Sequence, residues 1–583
     1  GIIEDTEEYI KIEGEAPKIA DQVDAQGQIY ILDNTKGGLQ GIQALYYDGT
    51  SLPVTQNMVQ KAQIKTSDID RQNFAYFFEK EISQSPTSIL HTMRGKFDEN
   101  TYQIYFDQVL SDTILQALPS KIKKIYVVGQ GTASIAAQSI AYRMSETLDN
   151  YIIFGIKSSE LSGFHLKDNM EDTLIIAVTQ SGTTTDTNQA VDMAKKRGAL
   201  SIAIVNRRNS RITSMVDSVL YTSDGRDIEV SVASTKAFYS QVVAGEILSI
   251  AIAQSIQKLT PEQSKQRLQS LMKLPELLQT LLSQKKQIQE IASKWSLTRS
   301  HWAIVGSGPN FISAQEIRIK LSELCYKSIA CDFVEDKKHI DLSSEPLILV
   351  CAAGSPSAVL GDVVKDVAIF KAHNSLPIVI AQENEHRFDP YAVAVIRVPE
   401  ADDLSSLILN TMAGHLFGYY TAQAIQEQSR FFASLRTSLV SRLSTHTPDE
   451  ILWDPQMQNE IEYFTQEFHK RRNLGQFNSS LNPNLCTDIA LLLYHATGKA
   501  LPQGFSNIFQ QPGSSKYLLH TLVDRLHKAT EEMSRPIDAI KHQAKTVTVG
   551  TTRLETKQIT FEGPIFTAFQ NAEFIGPGPH IHH

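Results

Sequence analysis

Short apolar runs alternate with helical stretches in two successive series along this chain, and this pattern restricts its fold more than any other feature. The first series begins near Lys121 and the second near His301. Continuous apolar runs separated by helices are typical of parallel strands that are covered on both faces. The sequence therefore predicts two α/β units in tandem. The predicted strands are 125–128, 151–156, 173–178, 201–205 and 218–222 in the first unit, and 301–305, 347–352, 377–381 and 393–398 in the second.

A glycine-containing loop follows the first strand of each series and supports the interpretation as a repeat. Gly129 and Gly131 follow the strand of one series, and Gly306 and Gly308 follow that of the other. The first loop lacks the dinucleotide-binding pattern, because Ser134 stands where the third glycine belongs. We therefore expect no nucleotide cofactor, and we expect neither another cofactor nor a metal ion.

Residues 179–184, Thr-Gln-Ser-Gly-Thr-Thr, lie between a predicted strand and a helix-compatible run at 184–197. Ala190, Val191 and Ala194 are predicted to form the inner face of that helix. Ligands bind beyond the carboxyl ends of parallel strands, and a helix N-terminus favours anions because its first amides are free. Hydroxyls and an amide around those donors suit the phosphate of a phosphosugar. Taken alone, a Ser/Thr cluster of this kind is more often an ordinary polar helix cap than a ligand site.

Composition and charge exclude several classes of protein. The formal net charge is −9 and the basic residues are scattered, which argues against a nucleic-acid-binding protein. The four cysteines form no CxxC pair, so a reducing cytoplasm is the expected location. No apolar run reaches the roughly 18 residues that a membrane span needs, and we expect no membrane segment.

The length of 583 residues predicts more than one domain, since single hydrophobic cores stop growing near ~250–300 residues. After Asp403 the pattern becomes helical and stays so. The predicted organisation is an N-terminal segment or linker at 1–75, a first α/β domain with connecting helices at 76–290, a second α/β domain at 291–429, a helical insertion at 430–535, and a C-terminal tail at 536–583.

Three strings resemble the isomerase half of the glutamine–fructose-6-phosphate aminotransferases. Residues 179–187 match that family's Ser-Gln-Ser-Gly-Glu-Thr-x-Asp-Thr loop, and residues 232–238 match its Val-Ala-Ser-Thr-Lys-Ala-Phe string without change. Residues 545–549, Lys-Thr-Val-Thr-Val, look like its C-terminal Lys-Ser-Val-Thr-Val. The resemblance covers roughly residues 70–428 and 536–550.

The resemblance implies two tandem sugar-isomerase (SIS) domains, each a flavodoxin-like parallel sheet flanked by helices, with the helical insertion after them. It also implies a site for fructose 6-phosphate or glucosamine 6-phosphate. In that site one group of residues would hold the phosphate and a second group would line the sugar. The first group is Thr132, Thr179, Gln180, Ser181 and Thr184, and the second is Val232, Ala233 and Ser234.

The resemblance further implies four catalytic residues. Lys545 matches the lysine that forms a Schiff base with the open-chain ketose, and an amine is the group this step needs. Glu323 and Lys320 match the family's Lys-x-x-Glu, whose glutamate moves a proton between carbons 1 and 2; a spacing of three residues places both on one helix face. His339 matches the ring-opening histidine that a neighbouring subunit supplies, so a homodimer is expected.

Several positions depart from the family pattern. Ala133 replaces a serine near the phosphate, and Thr183 replaces a glutamate. Around His339, residues 335–341 lack the family's Gly-Pro, and the insertion at 430–535 has no counterpart in the usual synthase. The family's glutaminase domain does not precede the SIS region in this sequence. We expect it upstream in the natural polypeptide, with residues 1–15 faintly resembling its end.

The leading hypothesis is an enzyme that converts fructose 6-phosphate, with ammonia from glutamine, to glucosamine 6-phosphate. Alone, the chain is expected to interconvert fructose and glucose 6-phosphates. One alternative is a deaminase or deglycase that acts on an amino-sugar or glycated-sugar phosphate. The other is a sugar-phosphate sensor without turnover, which needs only the 179–184 loop. Glu323, His339 and Lys545 together favour the enzyme, and the altered loop around His339 favours the sensor.

Overall fold

The computed structural model of the chain describes residues 8–10, 28–36, 38–46, 49, 51–52, 54–55, 59–61, 70–225, 227–339, 342–498 and 502–540. The chain divides into two compact units, residues 1–72 with 549–583 and residues 73–548. The first unit has short antiparallel strands, of which β1 pairs with β5 and β3 lies between β2 and β4. Their bounds are β1 Glu8–Ile10, β2 Gln28–Leu32, β3 Ile42–Tyr46, β4 Ser51–Leu52 and β5 Val59–Lys61.

The second unit contains two parallel sheets, as the alternating pattern predicts. The first has the order β10-β9-β8-β6-β7, with every residue of its central strand β8 buried. Neighbouring strands are joined through helices, which cover both faces and account for the continuous apolar runs. The strands are β6 Lys124–Gly129, β7 Ile152–Lys157, β8 Thr173–Thr179, β9 Leu200–Val205 and β10 Ser218–Tyr221.

The second parallel sheet repeats the topology of the first, with the order β12-β11-β13-β14-β15. Gly131 and Gly308, which follow the first strand of each sheet, have nearly the same backbone angles, φ 60° and ψ −132° against φ 57° and ψ −131°. The tandem repeat is therefore confirmed. The strands are β11 Trp302–Gly306, β12 Ala330–Phe333, β13 Leu347–Cys351, β14 Leu376–Gln382 and β15 Ala394–Val398.

Helices cover the sheets, and the described part of the chain from Asp403 to Glu532 consists of helices joined by short loops. They are α1 Phe77–Ser83, α2 Ser85–Met93, α3 Asp112–Ala117, α4 Thr132–Ser145, α5 Ser158–Glu160, α6 Thr185–Lys195, α7 Lys236–Ser255, α8 Pro261–Ser283, α9 Lys285–Trp295, α10 Pro309–Cys325, α11 Val334–Lys337, α12 Ser357–Ala372, α13 Asp403–Leu443, α14 Pro448–Trp453, α15 Pro455–Asn473, α16 Pro483–Ala496, α17 Pro502–Phe509 and α18 Ser515–Glu532.

The helix α6 that follows the 179–184 loop has the inner face that the sequence predicts. The helix buries the side chains of Ala190, Val191 and Ala194 completely, in one hydrophobic cluster with residues of β8 and β9. The small side chains let the helix lie close to the sheet, so the loop at its N-terminus is held at the edge of a packed core.

Helix α7 is strongly apolar, and nearly every one of its side chains is buried. By length and composition alone it is apolar enough to cross a membrane, although the sequence predicts no such segment. However, 94% of its most apolar window lies inside the protein. It packs against α2 and α4, which is the environment of a central core helix.

Helix α13 links the second sheet to the C-terminal helices. It begins at an N-cap where the Asp402 carboxylate accepts the Ser405 N–H at 2.8 Å, and it continues for 41 residues to Leu443. Its first half packs on α10 and its later part on α18. The helix runs without a break through residue 430, where the sequence predicts the insertion to begin.

Candidate active site

The loops after β6 and β8 meet where the strand order of the first sheet reverses. The chain passes from β6 outward to β7 on one side, and β8, β9 and β10 follow in order on the other. This reversal separates the two crossover helices and opens a crevice at the carboxyl ends of the strands. Residues 129–132 and 179–184 follow these two neighbouring strands, as a ligand site in an open α/β sheet requires.

The 179–184 loop turns several hydroxyls and amides toward one another. Thr179 Oγ1 accepts the Gly182 N–H at 3.3 Å and lies 3.4 Å from Thr184 Oγ1. Ser181 Oγ accepts the Thr183 N–H at 3.2 Å. Thr184 is the N-cap residue of α6, and its side chain makes no capping hydrogen bond. First-turn amides of α6 are thus left for an anion.

Gly182 fixes this loop against the following loop of the sheet. Its carbonyl accepts the Ile212 N–H at 3.2 Å and the Asn188 amide at 3.3 Å. Its φ is +66°, and a Cβ atom there would lie 2.0 Å from Ser210 Oγ. Only glycine satisfies both the backbone conformation and the close approach.

The substitution Gly182→Ala is expected to displace the loop and weaken phosphate binding at least ~10-fold, because strain of about 1–3 kcal/mol is added at the φ-positive position together with a steric clash. Titration calorimetry with fructose 6-phosphate measures the effect. Gly95→Ala is the matched control, since Gly95 has φ +67° but open space around its Cβ position. Equal affinity of the Gly182→Ala variant and the parent would contradict this account of the loop.

Thr132, predicted as a phosphate ligand, forms a hydrogen bond between helices of the two repeats. It is the first residue of α4, and its hydroxyl donates a hydrogen bond of 3.1 Å to Glu316 Oε1 on α10. Helices α4 and α10 are the corresponding helices of the two repeats and pack against each other. The crevice of the first domain is therefore next to the helix that carries Lys320 and Glu323.

Glu316, Lys320 and Glu323 form one ionic cluster on α10. Lys320 Nζ lies 2.9 Å from Glu323 Oε2 and 3.7 Å from Glu316 Oε1. Glu316 and Lys320 are completely buried, whereas the Glu323 side chain is 37% exposed. Burial raises the pKa of Glu316 to about 7, although the Lys320 ammonium acts in the opposite direction. Glu323 is thus the carboxylate of the cluster that a bound molecule can reach.

Glu316 is absent from the residues that the sequence analysis selects. The signal was available, because Glu316 and Lys320 are four residues apart and share the face that carries Glu323. The sequence does not show that Glu316 and Lys320 are buried together. They are buried because α4 and α13 pack against that face of α10.

The string 232–234, which is predicted to line the sugar, comes just before α7. Two buried carboxylates accept hydrogen bonds from this string and from the residues beside it. Glu81 Oε1 accepts the N–H groups of Val230 and Ser231, and burial and then the nearby Glu229 carboxylate raise the pKa of Glu81 to about 8. Glu229 accepts the Thr235 N–H at 2.7 Å and the Ser234 hydroxyl at 2.5 Å. The string is therefore held rigidly along its backbone.

The C-terminal segment reaches the same string. Ser231 and Ile540 form an antiparallel β-bridge, and the Val232 N–H donates to the Ala539 carbonyl at 3.1 Å. Ala233 is buried at 3% exposure, and Val232 is partly buried. Lys545, the predicted Schiff-base lysine, lies outside the described residues.

His339 lies at the surface directly after α11, with 69% of its side chain exposed. Its Nε2 atom is 3.7 Å from Glu335 Oε1, and its backbone N–H donates to the Asp336 carbonyl at 3.0 Å. None of these contacts joins it to the α10 cluster. Its predicted role across a subunit interface stays a prediction.

The corresponding crevice of the second sheet is filled by amides. Asn310, at the position that Ala133 occupies in the first repeat, donates to the Ala353 carbonyl at 3.0 Å and to Ser355 Oγ at 2.9 Å. Asn410 on α13 donates to Asn310 Oδ1 at 2.8 Å. Ala133 has no polar side chain to make such bonds, and so the two repeats differ at this position.

The described residues contain no metal-binding cluster, and a cavity among them lies apart from the predicted site residues. No group of three or more His, Cys, Asp or Glu residues there is arranged to hold a metal ion. A cavity of about 500 Å³ lies between α9 and α13, but none of the predicted site residues lines it.

Known proteins share this sequence pattern and fold. Residues 120–251 match the SIS domain family. The chain is 28% identical over 362 residues to a glutamine–fructose-6-phosphate aminotransferase (isomerizing) of Corynebacterium glutamicum and 29% identical to that of Mycolicibacterium smegmatis. Each match covers 61% of this chain and 56% of the relative, so the matched region spans about half of those proteins.

A solved structure agrees with these matches. The C-terminal domain of glucosamine-fructose-6-phosphate aminotransferase from Francisella tularensis superimposes with a TM-score of 0.56 at 23% identity, over 61% of this chain and 98% of that one. At this identity the match shows a shared fold. Residues 120–251 are thus a SIS domain, and across its two parallel sheets the chain resembles the isomerase half of the glutamine–fructose-6-phosphate aminotransferases.

Proposed function

We propose that this chain is a sugar-phosphate isomerase and aminotransferase module that converts fructose 6-phosphate to glucosamine 6-phosphate with ammonia from glutamine. The observation that carries the proposal is the 3.1 Å hydrogen bond from Thr132 to Glu316. It joins the phosphate crevice of the first domain to the helix bearing Glu323. A sugar phosphate held at one end by its phosphate would extend toward that carboxylate.

The phosphate would bind at the N-terminus of α6. Thr179, Ser181 and Thr184 supply hydroxyl groups there, and the amides of the first helical turn supply backbone donors. Gln180 would add its amide group to the cradle. The string 232–234 would lie along the carbon chain of the sugar. The backbone N–H groups of Ser231 and Thr235, on either side of it, donate to Glu81 and Glu229 and hold its two ends in place.

Glu323 would act as the base that moves a proton from carbon 1 to carbon 2 of the open-chain ketose. It is partly exposed, and the Lys320 ammonium lies 2.9 Å from its carboxylate. The Lys545 amine would first condense with the ketone at carbon 2 and release water, forming a Schiff base. Ammonia would replace the lysine at carbon 2 and supply the amino group of the product.

The position of Ile540 supports the role of Lys545. Ile540 is bridged to Ser231, beside the proposed sugar-lining string. Lys545 follows Ile540 by five positions, and a chain of that length reaches no further than about 18 Å. A lysine side chain tethered so close to residues 232–234 suits an amine that attacks a bound sugar.

Borohydride trapping tests the proposal directly. Incubation of the chain with fructose 6-phosphate and sodium borohydride is expected to leave a reduced sugar adduct on Lys545, located by peptide mass spectrometry. Lys545→Arg should abolish the adduct, because a guanidinium forms no imine at this pH. Lys541→Arg, four residues earlier on the same segment, is the matched control and should retain it.

A protein that binds fructose 6-phosphate in calorimetry but gives no adduct would support the sensor and overturn the enzyme. The same incubation with ammonium ions or with glutamine separates the two nitrogen sources. Glucosamine 6-phosphate formed from ammonium ions alone would place the glutaminase elsewhere in the polypeptide or in another chain. A chain that consumes glucosamine 6-phosphate but does not form it would favour the deaminase.

We also propose a homodimer in which His339 serves the site of the other subunit. Its exposure at the surface, away from the α10 cluster of its own chain, supports this arrangement. Sedimentation velocity tests it, and a single species at the monomer mass of 64.9 kDa would contradict it.

A further inference from the structure

His415 is a fully buried histidine that contacts the ionic cluster on α10. It lies on α13 within the apolar core, and the Tyr239 hydroxyl is 2.6 Å from its Nδ1 atom. Its Nε2 atom faces Glu316 Oε1 at 3.7 Å. Neither Nε2 of His415 nor Oε2 of Glu316 has a hydrogen-bond partner among the described residues. Burial of polar atoms without hydrogen-bond partners costs free energy of folding. A buried imidazole beside a carboxylate therefore calls for a structural or chemical explanation.

The surroundings determine which ring nitrogen carries the proton. Burial, and then the Lys320 ammonium, lower the pKa of His415 well below its usual value, so the ring is neutral. Burial raises the pKa of Tyr239, so its hydroxyl stays protonated and donates to Nδ1. The proton of the neutral ring is then on Nε2, the atom that faces Glu316.

The groups that face Glu316 come from every element packed around it. Lys320 and Glu323 are on its own helix, His415 is on α13, and Tyr239 on α7 acts through His415. Thr132 on α4 donates a hydroxyl, and the Glu229 carboxylate acts at longer range. Of these, Thr132 is the uncharged hydrogen-bond donor. The Nε2–H of His415 faces the Glu316 carboxylate at 3.7 Å, beyond hydrogen-bond distance, and its dipole favours the anion.

We propose that Tyr239 and His415 are positioning residues that keep Glu316 ionised, so that Lys320 is shared between two carboxylates and Glu323 remains basic. The proposal rests on the proposed role of Glu323 as the catalytic base. It adds a positioning pair from α7 and α13 to the site, and it makes Glu316 the group whose proton controls the rate.

The division of the Lys320 charge explains how this control works. When Glu316 is ionised, Lys320 balances both carboxylates. When Glu316 takes up a proton, the whole charge of Lys320 acts on Glu323 and stabilises its anion, which lowers its strength as a base. Because the pKa of Glu316 is about 7, activity is expected to fall as the pH drops through that value.

Three variants test the proposal through the pH profile of kcat for the interconversion of fructose and glucose 6-phosphates. His415→Leu removes the N–H donor, so the acid limb is expected to move to higher pH by about one unit, with KM changed less than about threefold. His415→Gln supplies an amide N–H in nearly the same volume and is expected to restore the parent profile. Tyr239→Phe removes the hydroxyl that keeps the ring proton of His415 on Nε2. The acid limb of the profile should then move to higher pH by about half a unit.

A carboxyl titration separates this proposal from the proposed function. In protein labelled with ¹³C at glutamate Cδ, the Glu316 resonance is identified by its absence in Glu316→Gln. Its midpoint should lie higher in His415→Leu than in the parent, whether or not the chain turns over any sugar. Identical Glu316 midpoints, or identical pH profiles accompanied only by a lower Tm of the Leu variant, would overturn the positioning role.

Discussion

Glu323→Gln is expected to lower kcat for the interconversion of fructose 6-phosphate and glucose 6-phosphate at least ~100-fold, the usual effect of removing a general base. Its effect on KM should stay below about threefold, because the phosphate would be held by the 179–184 loop rather than by α10. The amide has nearly the shape of the carboxylate but cannot accept the migrating proton. Steady-state kinetics with a coupled assay for glucose 6-phosphate measure both parameters.

The fold should tolerate this change. The Glu323 side chain is 37% exposed, and Lys320 keeps Glu316 as its buried partner when the second carboxylate is lost. Glu290→Gln, on the exposed face of α9, is a control in which both kinetic parameters should match those of the parent. A Glu323→Gln enzyme with parental kcat would assign the proton transfer to another group and refute the proposed mechanism.

The two parallel sheets were predictable because fully buried strands have an unmistakable pattern. β8 and β13 have apolar side chains on both faces, since helices cover the sheet on either side. β12 was missed, because its Ala-Cys-Asp-Phe sequence belongs to an edge strand with half-exposed side chains. A short edge strand needs no continuous apolar run, so periodicity alone does not reveal it.

The candidate site was predictable only where its residues are close together in the sequence. The 179–184 loop and the string 232–238 each form a local motif, and the structure attaches them to the same sheet. The contacts of Glu316 with Thr132 and of His415 with Tyr239 span 184 and 176 residues. Such pairs are created by the packing of α4, α7, α10 and α13, which no local pattern encodes.

The difference between the two repeats shows how a duplicated fold can provide one site. Ala133 and Asn310 occupy corresponding positions after corresponding glycines. By the family resemblance, Ala133 is expected to be the loss of a hydroxyl near the phosphate. In the structure, the asparagine at the corresponding place fills its crevice with hydrogen bonds to Ala353 and Ser355, and this contrast gives the small side chain a positive role.

Lys320→Met is expected to destabilise the protein by about 3–5 kcal/mol, the typical cost of leaving a buried charge without its partner. Glu316 is completely buried, and Lys320 is the group that most strongly lowers its pKa. The substitution should therefore raise the folded-state pKa of Glu316 above 7. Because the unfolded carboxyl titrates near 4.5, the folded state then binds more protons than the unfolded state across a wider range. The loss in Tm should accordingly be larger at pH 8.5 than at pH 5.5.

Addition of Glu316→Gln to Lys320→Met separates the contribution of the ion pair to stability from its contribution to catalysis. The double variant has no uncompensated buried charge, and its amide oxygen can still accept the Thr132 hydroxyl, so most of the lost stability should return. Catalysis should not return, since Glu323 loses the 2.9 Å hydrogen bond from Lys320 that holds its carboxylate in position. Chemical denaturation and the coupled assay measure the two effects on the same samples. A double variant as unstable as Lys320→Met would show that the lysine stabilises the fold through packing of its aliphatic chain, whereas recovery of kcat would show that Glu323 needs no ammonium beside it.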